Sequence, residues 1–315
     1  MLQAIPLPAL ELVFEHSGAI GTARVACTCT ELAASSSWRS IWRLFAANDF
    51  GMHDIGTASS DWLAAYRFCA RSLGPHERIA LRMARHNDDE GEYRIPYPPS
   101  SALALGNDNR ICWCTSGGHS KNVDLVASAV VGGYFMVTGF SVSNPGIGFD
   151  CPVRDALLFG MCSDPDSGSE STSSGSRVDD AVGRTFAYRV GSALDCPQDR
   201  RAELVRTLAA QPVVTIRDRA AAGALPACTV PTGVRQPDAP IGAIAFPPYP
   251  ECRELSLMQR VVPTVCTHVL FRLLRSYNPS QHEFPNIDVK RLHVHGVALP
   301  GLEQLLGSRP TGQLN

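Results

Sequence analysis

Up to about residue 73 the apolar positions recur at helical spacing, and beyond that they fall mostly at strand spacing. Pro8 suits a first helical turn, where a missing N–H costs nothing. Leu10, Val13 and Phe14 then stand at i, i+3 and i+4 on one face. Gly18 and Gly21 break this segment. A second helix is predicted from Thr22 to Leu32, with Val25, Cys29 and Leu32 on one side. Ser35 to Ser37 interrupt it and can cap a third. That third helix carries Trp38, Ile41, Trp42 and Phe45 at i, i+3, i+4 and i+7. Trp62, Tyr66, Cys69 and Leu73 make a fourth, with Ser59, Ser60 and Asp61 as capping candidates.

Near residue 78 the period changes. Ile79, Leu81 and Met83 alternate with polar or small residues, which reads as a strand but also fits one helical turn. PYPPSS (96–101) marks a boundary, because prolines at that density exclude both helix and central strand. In GYFMVTGFSVSN, Tyr134, Met136, Thr138, Phe140 and Val142 share one face, and Phe135, Val137, Gly139 and Ser141 the other. In PTVCTHVLFRLLRSYN, Val265, Thr267, Val269, Phe271 and Leu273 oppose Cys266, His268, Leu270, Arg272 and Leu274. NIDVKRLHVHG offers Ile287 and Val289, then Leu292 and Val294. Short strands with turn signals between them predict an antiparallel β-sandwich.

Two stretches interrupt the strand pattern. The acidic, serine-rich segment 163–180 is nearly free of apolar residues and reads as a disordered insertion. Residues 218–250, rich in alanine and proline, read as a long irregular loop, and 199–210 as a short helix between the two.

Composition narrows the function classes. The chain has 315 residues, is 44% hydrophobic and carries a formal net charge of -2, so no global basic field points to nucleic acid. No apolar run approaches the roughly 20 residues that span a bilayer. The N-terminal stretch lacks a basic flank and is broken by Pro6 and Pro8, unlike a signal peptide. The 11 cysteines, an odd count without a secretion signal, read as free thiols in the cytoplasm or nucleus. The pairs Cys27/Cys29 and Cys112/Cys114 lack the two-residue gap of common zinc knuckles and read as buried apolar thiols.

The first three helices span too few residues to hold a stable core alone, so their aromatic faces need another surface. Here the ordered series Leu7-Pro8-Ala-Leu10-Glu11-Leu12-Val13, then ARVACTCTEL, then Ile41-Trp42-Arg43…Asp49-Phe50-Gly51 resembles an F-box over residues 7–51. The series departs from the family in a short Leu7-to-Cys29 segment, in Gly21-Thr22-Ala23 where Asp-Leu is usual, and in Leu32 where a tryptophan is usual. The resemblance implies a substrate-recruiting adaptor of an SCF-type ubiquitin ligase, which itself performs no chemistry. Leu7, Pro8, Leu10, Val13, Val25, Leu32 and Trp42 would then bind the Skp-type linker subunit and, through it, cullin-1. Trp62 and Tyr66 fit the aromatic helix that often follows the motif.

The segments ICWCTSGG…VDLVASAV…YFMVTGFSVSN and THVLFRLLRSYN…NIDVKRLHVHGVAL resemble galactose-binding-like (discoidin-type) sandwiches. That resemblance implies a ligand held by loops at one end of the sheets, with Trp113, His119, Lys121, Asn144 and Tyr249 as candidates. The expected fold class is therefore α+β multidomain. A helical F-box-like module covers 1–52, a helical linker region 53–96, a jelly-roll-like β-sandwich 97–302 and a flexible tail 303–315.

Catalytic signatures are lacking. No Gly-x-Ser-x-Gly, phosphate-binding Gly-x-x-x-x-Gly-Lys or Gly-x-Gly-x-x-Gly occurs in the sequence, and Gly146-Ile-Gly148 reads as a turn. His293 and His295 lie two apart on a strand, a geometry compatible with metal, but no carboxylate or cysteine adjoins them. His268 reads as a similar polar-face histidine. Asp88, Asp89, Glu90 and Glu92 read as a solvated loop. Neither an enzyme nor a cofactor is expected. The partners expected are the linker subunit and a protein or glycoprotein substrate, with no nucleic acid and no membrane. The other reading is a carbohydrate- or protein-binding sandwich with a helical cap, unconnected with ubiquitination.

Overall fold

A computed structural model describes residues 37–52, 61–73, 77–86, 98–105, 112–115, 121–146, 148–162, 186–188, 192–193, 214–216, 240–277 and 286–306. The expected first and second helices, the insertion 163–180 and the helix 199–210 lie outside these residues.

In chain order the strands are β1 (Glu77–Ile79), β2 (Leu81–His86), β3 (Trp113–Cys114), β4 (Lys121–Ala129), β5 (Phe135–Ser143), β6 (Val153–Met161) and β7 (Phe186–Tyr188). They continue with β8 (Ser192–Ala193), β9 (Val214–Ile216), β10 (Gly242–Ala245), β11 (Ser256–Cys266), β12 (His268–Ser276), β13 (Asp288–Val289) and β14 (Arg291–Ala298). Among the described residues, one five-stranded sheet runs β1-β14-β5-β11-β8 and a second runs β10-β6-β12-β4-β2. The strand pairs within both are antiparallel. The sheets face each other across a core that includes Phe135, Val142, Leu158, Phe271, Leu292 and Val294. This is the expected antiparallel sandwich.

Several expectations need correction, each for a nonlocal reason. The stretch 53–96 is not wholly a helical linker, because β1 and β2 belong to the sandwich. They sit in different sheets, and Ile79 and Leu81 both enter the core between them. The chain crosses between sheets again at Thr267, from β11 to β12. The two sheets present opposite sides to the space they share. The inward set therefore switches from Cys266 on one strand to Val269, Phe271 and Leu273 on the next, while Val265 faces outward. The faces of β5 also slip: Phe135, Val137, Phe140 and Val142 point into the core, and Met136 and Ser141 do not. The slip occurs around Gly139, where a Cβ would stand 2.9 Å from the Gln259 carbonyl oxygen, so close pairing with β11 needs a glycine there. The irregular loop expected over 218–250 contains β10, an edge strand of small apolar residues paired with β6. The tail expected from 303 contains part of a short helix, α3 (Leu302–Leu306; the helices are numbered α1 to α3 along the chain), whose Leu302 and Leu306 are buried.

Helix α1 (Ser37–Phe50) and helix α2 (Trp62–Arg71) join α3 over the outer face of the β5–β11–β14 sheet. Asp61 caps α2 by accepting a bond from the Ala64 N–H at 3.0 Å, as its sequence position predicts. Gly51 ends α1 at φ 63°, and a Cβ there would meet the Thr264 side chain at 2.9 Å. Ile41, Trp42, Phe45, Phe50, Trp62 and Cys69 form one apolar cluster with Tyr134, Met136, Val265 and Leu299 of the sandwich. The Trp42 ring stands 5.5 Å from Phe45 and 5.2 Å from Tyr66, in edge and tilted geometry. The rings of Trp42, Phe45 and Phe50 are thus buried against their own chain.

The outer face of the other sheet is also closed. Val126, Leu157, Phe159, Met161 and Leu270 are buried there. Among them Arg272 donates two parallel bonds of 2.7 Å to the Asp124 carboxylate, with both side chains out of solvent.

Candidate functional site

Register places one set of strand ends together. Ser143, ending β5, lies opposite Ser256 at the start of β11 and Arg291 at the start of β14. Ser276, ending β12, lies opposite Val153 at the start of β6, and Arg275 opposite Lys121 at the start of β4. The connections 144–152, 246–255 and 277–287 leave from this end, and the β3–β13 ribbon is fastened to it through Asp288 and Pro152. The helical layer lies toward the opposite ends of β5, β11 and β14, at Tyr134, Val265 and Leu299.

Buried polar groups tie these loops to one another. The Asn144 Nδ2 donates to the carbonyls of Val153 at 2.9 Å and Cys252 at 3.3 Å. Its backbone N–H donates to the Leu255 carbonyl at 2.9 Å. The Asp288 carboxylate accepts from the Cys151 N–H and from the Asn286 Nδ2, both at 2.9 Å. The Thr115 hydroxyl accepts from the Ile287 N–H at 2.8 Å. Tyr277 donates its hydroxyl proton to the Phe246 carbonyl at 2.7 Å. Burial pushes the pKa of that hydroxyl up, against the pull of Arg154, so it stays a donor. Backbone carbonyls and N–H groups that a loop would otherwise leave unpaired are satisfied by side chains, which holds the loops in one arrangement.

Outside this scaffold stands a rim of charge and aromatic surface. Arg253 donates from Nη2 to Asp150 at 3.0 Å and also to the Tyr249 hydroxyl. Its guanidinium lies 4.5 Å from the Tyr249 ring centroid. Asp150 is 52% exposed and Arg253 27%, so solvent reaches both partners. A second group repeats these types: Arg154 lies 5.5 Å from the Tyr277 ring centroid, and Arg275 donates to Asp155. Each group sets a planar fork of donors beside a carboxylate and a ring. That combination can exchange internal bonds for bonds to a ligand rich in hydroxyls or amides.

The structure sorts the candidates. Trp113, expected in a ligand loop, is 0% exposed and belongs to the core. Its place beside Ile287 and Val289 leaves it no ligand-facing surface. Asn144 is likewise buried and serves as a tie between loops. Lys121 opens β4 at the same end, and His119 lies outside the described residues. Tyr249 is half-buried and reaches the rim. Asp150, Arg253, Arg154, Arg275 and Tyr277 were missed. The signal for them in the sequence is faint: prolines flank Tyr249 and follow Asp150-Cys151, marking turns. Of the linker-binding set, Trp42 is 5% exposed within the helical layer. Leu7, Pro8, Leu10, Val13, Val25 and Leu32 lie outside the described residues.

Other chemistry-bearing groups assemble less. Ser141 Oγ stands 3.3 Å from His295 Nε2, and His293 Nε2 stands 3.3 Å from the Ala104 carbonyl oxygen. Burial lowers the pKa of both histidines, that of His293 to about 4, so both are neutral at pH 7. Among the described residues no group of three His, Cys, Asp or Glu side chains is placed to hold a metal ion. Cys112 and Cys114 are free, and Cys114 is held protonated first by its hydrogen bond with Cys112, then by burial and by Asp288. No helix of the described residues is long and apolar enough to cross a membrane.

No protein-family model matches the chain and no curated protein sequence matches it. Several solved structures overlap with it. The family 32 carbohydrate-binding module of NanJ from C. perfringens, in complex with galactose, shares 10% identity at a TM-score of 0.33, covering 70% of this chain and 98% of that one. The C-terminal domain of a chitobiase from Bacteroides fragilis shares 7% at a TM-score of 0.36, with coverage of 70% and 98%. A Clostridium perfringens module in complex with GalNAc-beta-1,3-galactose shares 9% at a TM-score of 0.34, with coverage of 69% and 99%. At such scores the sandwich assignment stands on the strand pairing itself.

Proposed function

We propose that this chain is a binding protein whose sandwich takes a carbohydrate ligand at the loop end, with the helical layer as a structural cap. The observation that carries this reading is the loop end itself. Loops far apart in sequence are fastened by buried hydrogen bonds, while Arg253, Asp150 and Tyr249 stand together on the rim. A rigid scaffold under a polar, partly exposed rim favours ligands that present many directional groups, which describes a sugar better than an apolar surface. The test is a glycan microarray probed with the full chain, followed by titration calorimetry of the best glycan. Saturable binding that weakens about tenfold or more in Arg253→Ala and Asp150→Ala is expected. A folded chain that binds no glycan overturns the reading, and capture of a protein ligand through the same two residues would replace it.

A second reading has one specific support. The segment Ser37–Phe50, which carries the Trp42 and Asp49-Phe50 part of the F-box resemblance, is helical. Under it the chain is an adaptor of an SCF-type ubiquitin ligase that binds a Skp-type linker. Because Trp42 is buried against Phe45 and Tyr66, the linker would rest mainly on Leu7, Pro8, Leu10, Val13, Val25 and Leu32. A pull-down of the full chain with a Skp-type linker, beside Leu7→Ala/Pro8→Ala, decides it: no capture by the folded wild-type chain removes the adaptor role.

A further inference from the structure

We infer that the groove between α2 and α3 docks a short acidic segment of a partner protein that carries one bulky apolar side chain. The groove encloses about 570 Å3 and is lined by Ala64, Arg67, Phe68, Arg71, Ser72 and Leu305. None of these residues belongs to the loop end.

The stripe that builds it is the second face of α2. Trp62, Ala65 and Cys69 point into the helical layer. Residues 64, 67, 68 and 71 follow the same i, i+3, i+4, i+7 rule on the side turned away. A surface helix normally carries mixed charge there. This one carries two exposed arginines, with half-buried Phe68 and Leu305 beside them. Leu73, 47% exposed, continues the apolar edge past the end of the helix.

The arginines have no internal partner among the described residues, and the acidic groups of the layer are already engaged. Glu303 accepts a bond from the Tyr134 N–H, Asp61 caps Ala64, and Asp49 accepts the Tyr66 hydroxyl. Like charges at i, i+4 repel, which offsets what Arg71 gains from its place in the last turn of α2. Their forks match carboxylates, which they bind in pairs of bonds. The apolar floor between Phe68 and Leu305 suits one side chain of leucine or phenylalanine size. Two arginines in a chain of net charge -2 make no extended field for a nucleic acid or an anionic bilayer. A symmetric contact with a second copy would set the same arginines against each other. An acidic peptide with an apolar anchor satisfies both halves of the groove.

The test is a fluorescence anisotropy titration of the full chain with a labelled heptapeptide, a central phenylalanine flanked by glutamates. Saturable binding is expected, weakened about tenfold or more by Arg67→Glu/Arg71→Glu and equally by serine in place of the peptide's phenylalanine, and unchanged by Arg253→Ala. The serine peptide reads the apolar anchor without altering the protein. Absence of binding by a folded wild-type chain, or equal binding by the double variant, overturns the inference. So does dimerisation in sedimentation runs, or binding to phosphatidylserine vesicles, that the double variant abolishes.

Discussion

The helical layer and the loop end finish the same sandwich in opposite ways. At the layer, Trp42, Phe45, Phe50 and Trp62 close an outer sheet face by packing area, with few polar groups involved. At the loop end, Asn144, Asp288 and Thr115 close the structure by satisfying backbone donors and acceptors one at a time. Apolar burial is non-directional and tolerates sliding, whereas a hydrogen bond fixes position. The layer is therefore suited to holding the domain together, and the loop end to holding side chains where a ligand can meet them.

The contrast can be broken most forcefully in the layer. Phe45→Ala should destabilise the chain by about 3–5 kcal/mol, measured by urea unfolding, because a buried ring leaves a cavity. Asp288→Ala should cost less, on the order of 2 kcal/mol, since it leaves the Cys151 N–H and the Asn286 amide without their acceptor. Its larger effect should be on loop order, seen as faster amide exchange at residue 151 and on its neighbours in the same loop.

A pH series separates the polar and apolar contributions further. His293 lies 5% exposed on the outer face of β14, with Arg78, Arg291 and His295 as its charged or titratable neighbours. Its pKa falls from 6.5 in the unfolded chain to about 4 in the folded one. Between those values the unfolded chain binds more protons, so stability is complete above about pH 6.5 and declines as pH falls toward 4. His293→Gln should flatten that part of the melting-temperature profile, and an unchanged slope would assign the loss to other groups. The smallest stability effect is expected from Asp150→Ala, about 1 kcal/mol or less for an exposed pair. A large loss of stability there would mean that the rim is scaffold.

What was legible in the sequence follows the range of the interactions. Helix α2 was readable from Trp62, Tyr66, Cys69 and its cap Asp61, because period and capping are local. The presence of strands, and the buried set Ile287, Val289, Leu292 and Val294, were readable for the same reason. The phase of β5 beyond Gly139, and the crossing at Thr267, depend on which strand lies alongside, and no local pattern carries that. The rim was the least legible part. Arg253 meets Asp150 across 103 residues of chain, and both look like ordinary loop charges until the sandwich joins them. Trp113 misled for the converse reason: an aromatic residue near turn signals resembles a ligand platform, but its packing decides its role.

The pairing of β1 with β14 has a consequence for how the protein is made. The opening strand of its sheet finds its neighbour only in the last strand, with Glu77 set against Gly296. Likewise Asp124 waits 148 residues for Arg272. A ribosome delivering this chain must pass residue 296 before Glu77 meets its neighbour, and residue 272 before Asp124 does. Until then β1, β5 and a carboxylate bound for the interior stand exposed on the nascent polypeptide. A premature stop anywhere before β14 should therefore yield an aggregation-prone fragment and abolish the whole sandwich, with no shorter functional form surviving.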